Sequence, residues 1–223
     1  MHDWGARQKR LHYPWRFFDA FDFPVYEVYH QRPSPEYAFA VEDNLRTREQ
    51  RVLLGVLLVG GIAVLASYVQ GYLSHPEVRW EIWGGIPIEM RPVYTVSMVL
   101  AALGYFPMTT FFLLRVDPGT FRVAGRFGFS LITLSYVVVM AGSAAWMPLT
   151  YAMIGSPTAG LWVIVRIVLV AVAAGSLGLL FALLAGTEKT PKHWHRLAVL
   201  GCVFFCWQTM VLDALIWTYY YPF

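Results

Sequence analysis

Five long apolar runs follow one another along the chain, separated by short polar segments. They cover residues 52–73, 94–114, 127–149, 161–185 and 197–220. A helix rises about 1.5 Å per residue, so a run of about 20 residues crosses the roughly 30 Å hydrocarbon layer of a bilayer. A backbone exposed to lipid must satisfy its own hydrogen bonds, which favours helices. The pattern predicts an all-α membrane protein whose residues 52–223 form a bundle of five transmembrane helices.

Residues 1–51 differ from the rest because they are polar, basic and aromatic. Pro24, Pro33 and Pro35 favour an extended segment rather than a compact fold. The many Phe and Tyr side chains between them need a surface to pack against. We therefore expect an N-terminal extramembrane arm on the membrane interface or on another subunit, with residues 17–40 ordered only by such contacts.

The basic residues are distributed unevenly between the two sides of the predicted bundle. Of the 17 Lys and Arg residues, fourteen fall on the side of the N-terminus (side A), while only Arg79 and Arg91 fall on the opposite side (side B). By the positive-inside rule, side A is the cytoplasm, matrix or stroma. The sequence thus predicts an integral protein of an organelle or bacterial inner membrane, with its C-terminus on side B.

The composition agrees with a membrane protein and argues against nucleic acid, an internal haem and a metal ion as binding partners. Hydrophobic residues make up 57% of the chain and charged residues 14%, against roughly a quarter charged in soluble domains. The net charge of +3 is too small to indicate nucleic acid. No histidine lies deep in a span, which argues against an internal haem, and no metal site is predicted. The expected partners are membrane lipids, including bound phospholipids, and other membrane subunits contacted through the arm.

Two charged residues interrupt the predicted spans, Arg166 in the fourth and Asp213 in the fifth. Arg166 lies five residues after Leu161 and Asp213 seven residues before Tyr220, so both are roughly 8–10 Å from side B. Two opposite charges at the same depth on antiparallel helices can pair, and pairing offsets the free-energy cost of removing each charge from water. We expect an intramembrane ion pair that clamps the fourth helix to the fifth. A step in an ion path and an arginine that extends to the lipid headgroups stay open as alternatives.

Two proline-containing segments indicate a ligand pocket. Pro107 is expected to kink the second helix and Pro148 to end or kink the third. Facing kinks would place Tyr105, Trp146 and Tyr151 in the wall of a pocket. The five spans, the Trp146-Met147-Pro148 segment and the following GSPTAGLW resemble the TspO family of tryptophan-rich sensory proteins. This resemblance covers about a dozen residues and implies a porphyrin or sterol-like ligand in a central pocket. Only Trp146 and Pro148 match the family's motif, so the role in ligand binding is carried over to these two residues alone.

Aromatic and histidine residues near the span ends are typical of interface anchors. The predicted anchors are Trp80, Trp83, His193, Trp194 and His195.

No group of convergent titratable side chains indicates catalysis, so we do not expect an enzyme. The absence of site chemistry and the aromatic arm favour an accessory, structural subunit of a larger membrane complex. We expect an energy-converting complex, respiratory or photosynthetic, that carries out electron transport, for example in the mitochondrial inner membrane. A TspO-like binder of a small apolar ligand and a small transporter are the alternatives.

Overall fold

The computed structural model describes residues 47–223. The predicted arm lies outside the described residues except for its end, where residues 48–51 belong to the first helix. Within residues 47–223, five helices are long and apolar enough to span a membrane, which confirms the predicted bundle. They are α1 (Arg48–Ser74), α2 (Arg91–Leu114), α3 (Ser130–Gly155), α4 (Ala159–Ala185) and α5 (Lys192–Tyr220). Two short 3₁₀ turns, Glu81–Trp83 and Ile88–Met90, lie between α1 and α2.

Hydroxyl side chains begin two of these helices. The Thr47 hydroxyl accepts a hydrogen bond from the backbone N–H of Gln50, and the Thr158 hydroxyl accepts one from that of Leu161. Each bond satisfies one of the N–H groups that a helix leaves free in its first turn. Pro92 lies in the first turn of α2, where proline loses no helical hydrogen bond.

Helix α5 departs from regular α geometry over much of its length. It is α-helical over Lys192–Cys206, π-helical over Trp207–Trp217 and α-helical again over Thr218–Tyr220. Most π segments are single turns inserted in an α-helix, so eleven consecutive residues are unusual. The sequence pattern, which predicts only an apolar helix here, gives no sign of it.

The helices form a ring that is left open between α1 and α2. Going around the ring, α1 packs on α3, α3 on α4, α4 on α5, and α5 on α2. Helices α1 and α2 share few contacts. At the side A end the buried Gln50 side chain of α1 donates hydrogen bonds to the carbonyls of Leu113 and Val116, at 3.0 and 3.3 Å. Helices α1 and α2 are therefore joined at side A and separate towards side B.

The core consists of two hydrophobic clusters, one towards each side of the bundle. The side A cluster is centred on Phe111, Phe112 and Tyr136, and the side B cluster on Tyr94, Leu169 and Trp217. Helices α2 and α5 cross in backbone contact, because an added Cβ at Gly104 would lie 2.5 Å from the carbonyl oxygen of Gly201. This close crossing of small residues is typical of packed membrane helices.

Candidate functional site

A cavity of about 400 Å³ lies within the ring, where the two core clusters meet. All five helices contribute to its wall, mostly with apolar and aromatic side chains. This volume falls in the range of small-molecule sites, which are usually apolar with a few polar groups. The apolar and aromatic wall residues are Val64, Tyr68, Met98, Ala101, Ala102, Trp146, Leu169, Val172 and Phe205.

The polar part of the wall is concentrated on the π-helical segment of α5. Gln208 donates a hydrogen bond of 2.8 Å from its Nε2 to Oδ1 of Asp213, and both residues line the cavity. The Gln208 side chain is buried, and its Oε1 has no hydrogen-bond partner in the protein. Because buried polar atoms are nearly always paired, the free Oε1 indicates that the cavity can bind a molecule that carries a hydrogen-bond donor.

Thr209, the next residue, has a different role because its hydroxyl is already paired. Its Oγ1 lies 2.8 Å from Oγ of Ser176 and donates to the carbonyl of Phe205 at 3.0 Å. Ser176 is fully buried on α4, so this contact joins α4 to α5. Thr209 therefore positions the π-helical segment, and Gln208 and Asp213 are the groups of this segment that keep hydrogen-bonding capacity for a ligand.

Trp146 forms one aromatic wall of the cavity, as the sequence suggested. Its ring lies between those of Tyr68 and Trp217, with centroid distances of 6.0 and 5.9 Å. Its indole N–H is buried and has no hydrogen-bond partner in the protein. The wall thus offers a buried donor without a partner in addition to the free acceptor of Gln208.

Tyr105 and Tyr151 do not share this cavity with Trp146, so the structure corrects the predicted three-residue pocket. The Tyr105 ring packs against Tyr136 and Phe205 on the side A face of the cavity wall. The Tyr151 ring stacks on His75, 4.3 Å away, near the side B end of α1. Five residues along an α-helix turn about 140° beyond a full turn, so Trp146 and Tyr151 face different neighbours.

Arg166 and Asp213 do not form the predicted ion pair. The Asp213 carboxylate accepts its hydrogen bond from Gln208, and Arg166 is exposed on the outer face of α4 with its Cζ 6.0 Å from the Trp162 ring. Equal depth fixes only one coordinate, and rotation about the helix axis decides which side chains meet. Val165 faces the core, so Arg166, about 100° further round, faces outwards.

The predicted interface anchors lie at both ends of the bundle. On side B, Trp80 is exposed with Arg79 over its ring at 5.9 Å, and Trp83 contacts Arg91 at 5.4 Å. On side A, the ring of Trp194 lies 5.8 Å from the Arg115 Cζ and 6.0 Å from the His193 ring. His195 Nε2 lies 2.9 Å from the carbonyl of Leu183. His195 therefore holds the last turn of α4.

Aromatic residues also close the bundle at side B. The Tyr221 ring stacks on Trp162 at 4.8 Å, and the Trp217 indole donates a 2.9 Å hydrogen bond to the carbonyl of Ile82. Partial burial, with the nearby Glu81 carboxylate, raises the pKa of Tyr221. Within residues 47–223, no group of three or more His, Cys, Asp or Glu side chains has an arrangement that could hold a metal ion.

The sequence interpretation missed Gln208, Tyr68 and Ser143 as cavity residues. Gln208 carried a usable signal, because an uncharged polar side chain inside a transmembrane run needs a partner just as a charge does. Tyr68 and Ser143 carried little signal, since tyrosine and serine occur in many spans as packing residues.

Comparisons with known protein families, with curated proteins and with solved structures find no match for this chain. The resemblance to the TspO family therefore stays a prediction. The cavity and its polar groups are the observations on which a function can be proposed.

Proposed function

We propose that this protein binds a small, mainly apolar molecule in the cavity between its five helices. One observation carries the proposal: an interior space of about 400 Å³ is lined by aromatic side chains and contains buried polar atoms of Gln208 and Trp146 without partners in the protein. Ligand sites in helix bundles commonly have this combination of an apolar wall and a few polar groups. A porphyrin or sterol-like ligand is the class that the TspO resemblance implies.

The test is photolabelling of the full-length protein in lipid nanodiscs with a small phenyl diazirine. We expect saturable labelling of the cavity wall, at Trp146 or Phe205. Ala102→Phe places a ring at the cavity wall and is expected to lower this labelling several-fold. Ala66→Phe is the matched control, because Ala66 is also exposed on its helix but lies outside the cavity. Labelling confined to lipid-facing residues, and equal in all three proteins, would contradict the proposal.

A second candidate function is that of an accessory subunit in a larger membrane complex, such as an energy-converting one. It is favoured by Arg166, a charged side chain exposed on the outer face of a transmembrane helix. Arg166 lies in an apolar groove of α4 with Val163, Ile167 and Val170. An arginine at this depth is costly in lipid alone, so a polar or acidic group of a partner helix would stabilise it.

Native gel separation of membranes in mild detergent tests this second candidate. We expect the 25.4 kDa chain to migrate in a larger assembly that Arg166→Leu weakens. Arg126→Leu, in the exposed loop between α2 and α3, is the control and is expected to leave the assembly intact. Migration of the unaltered protein as a monomer would count against a subunit role.

The orientation of the bundle is part of the proposal. Side A is placed at the cytoplasm, matrix or stroma, because the loops between α2 and α3 and between α4 and α5 carry the basic residues. The cavity then lies in the half of the membrane that faces away from that compartment.

A further inference from the structure

The polar corner of the cavity, formed by Gln208 and Asp213, has more free hydrogen-bond acceptors than donors. The Asp213 carboxylate has one hydrogen bond, from Gln208, and the Gln208 Oε1 beside it has none. A carboxylate accepts several hydrogen bonds and an amide oxygen accepts two, so acceptor capacity is in excess here. The titratable side chains that the Asp213 charge reaches are Tyr68 and Tyr94, and the Tyr94 hydroxyl already donates to the carbonyl of Leu212.

No cation of the described chain offsets this excess. Arg166 of α4, the basic residue at a similar depth, points outwards over Trp162. The basic residues of α5 itself all lie in its first turns, at side A. A carboxylate inside a membrane is costly even on lenient insertion scales. A bound ammonium group would offset this cost through its charge and would donate an N–H to one of these acceptors.

The rest of the wall also suits a cation with an apolar body. Tyr68, Trp146 and Phe205 present aromatic rings to the cavity, and aromatic faces attract ammonium groups. The remaining wall is aliphatic and matches a hydrocarbon or aryl portion. The hydroxyls of Tyr68 and Ser143 also line the cavity and can accept as well as donate, and the buried indole N–H of Trp146 is a donor without a partner in the protein.

The open side of the helix ring supplies a route from the bilayer. Tyr68 of α1 and Met98 of α2 line the cavity and are also 38% and 44% exposed. They lie six and seven residues from the side B ends of their helices, in the part where α1 and α2 separate. A molecule dissolved in the membrane can pass between them without crossing an aqueous phase.

We propose that the cavity recognises lipophilic amines, which reach it from the bilayer between α1 and α2 and bind with their protonated nitrogen against Asp213 and the Gln208 Oε1. This inference rests on the proposed ligand-binding function and names the class of ligand.

The experiment uses two photoprobes of equal shape in nanodiscs at pH 7. Both carry a phenyl diazirine on a propyl chain, one ending in a dimethylamino group and the other in an isopropyl group. We expect the amine to label the cavity at concentrations at least tenfold lower than the isopropyl probe. Asp213→Asn is expected to bring this ratio to about one while labelling by the isopropyl probe persists. Glu89→Gln removes an exposed side B carboxylate and is the control that keeps the preference.

The outcomes separate this inference from the function on which it rests. Equal labelling of the cavity by both probes, or a preference that survives Asp213→Asn, would overturn the amine assignment and leave ligand binding standing. Absence of cavity labelling by either probe would overturn both. If Asp213→Asn fails to fold, competition of the unlabelled amine and isopropyl compounds against the phenyl diazirine in the unaltered protein still tests the preference, and equal competition would overturn the amine assignment.

Discussion

The backbone crossing of α2 and α5 makes a sharp prediction about glycine substitution. In Gly104→Ala the new methyl group would lie 2.5 Å from the carbonyl oxygen and 2.6 Å from the Cα of Gly201. Non-bonded carbon atoms prefer about 3.5–4.0 Å, so the two helices must separate by roughly 1 Å. Neither obstacle is the end of a flexible side chain, and rotamer changes cannot relieve the contact.

The expected cost follows from two opposing effects. Overpacking of this kind costs about 1–3 kcal/mol, while the preference of helices for alanine over glycine returns at most about 1 kcal/mol. The net loss is therefore roughly 1–2 kcal/mol in the free energy of unfolding. In a chain of this size 1 kcal/mol shifts the midpoint by about 2–4 °C, so we expect a decrease of roughly 2–8 °C.

Thermal unfolding in detergent micelles, followed by tryptophan fluorescence, measures this change. Gly61→Ala is the matched control, because a Cβ on this α1 glycine meets no atom within 4 Å. Its unfolding midpoint should stay constant or rise slightly. A midpoint for Gly104→Ala that equals that of the control would refute the backbone contact between α2 and α5.

Three further predictions concern the cavity, the side B closure and the topology. Gln208→Leu leaves the Asp213 carboxyl without its donor and should cost about 1–3 kcal/mol of stability, part of which adding Asp213→Leu restores; no recovery in the double variant would contradict this coupling. Trp217→Phe removes the bond to the loop between α1 and α2, so amide exchange there should accelerate; unchanged exchange would argue against the contact. Single cysteines at Ser156 and Thr187, both exposed at opposite ends of α4, should react from opposite sides of the membrane; labelling from one side would rule out this arrangement.

The helices themselves could be predicted because their signal is local. An apolar run of membrane-spanning length is visible in the sequence, and the observed helices differ from the predicted runs mainly at their ends. The third run was expected from residue 127, whereas α3 begins at Ser130. Pro107 and Pro148 lie inside α2 and α3, as expected of membrane helices whose neighbours satisfy the freed carbonyls.

The site could be predicted only in part, because it depends on rotation and spacing of helices. The expected pair of Arg166 and Asp213 used depth alone, and the orientation of α4 turned Arg166 outwards. The crossing at Gly104 and Gly201 needed knowledge that α2 and α5 are neighbours, which the order of the chain does not give. Trp146 was predicted to lie in a pocket wall together with Tyr105 and Tyr151, and of these three residues the cavity wall includes only Trp146.

The π-helical segment of α5 and the polar corner of the cavity are the same part of the molecule. Gln208, Thr209 and Asp213 all lie within Trp207–Trp217, and the Gln208–Asp213 bond spans five residues, the spacing of π-helical hydrogen bonding. On a regular α-helix, side chains five positions apart diverge by about 140° and would not face one cavity. Widening the helix brings the two together, while Tyr94 binds the carbonyl of Leu212 from α2. A departure from regular helix geometry at residues with free polar atoms is typical of a functional site rather than of packing alone. The Gln208→Leu and Asp213→Asn variants therefore test the function of the cavity and the geometry of the helix together.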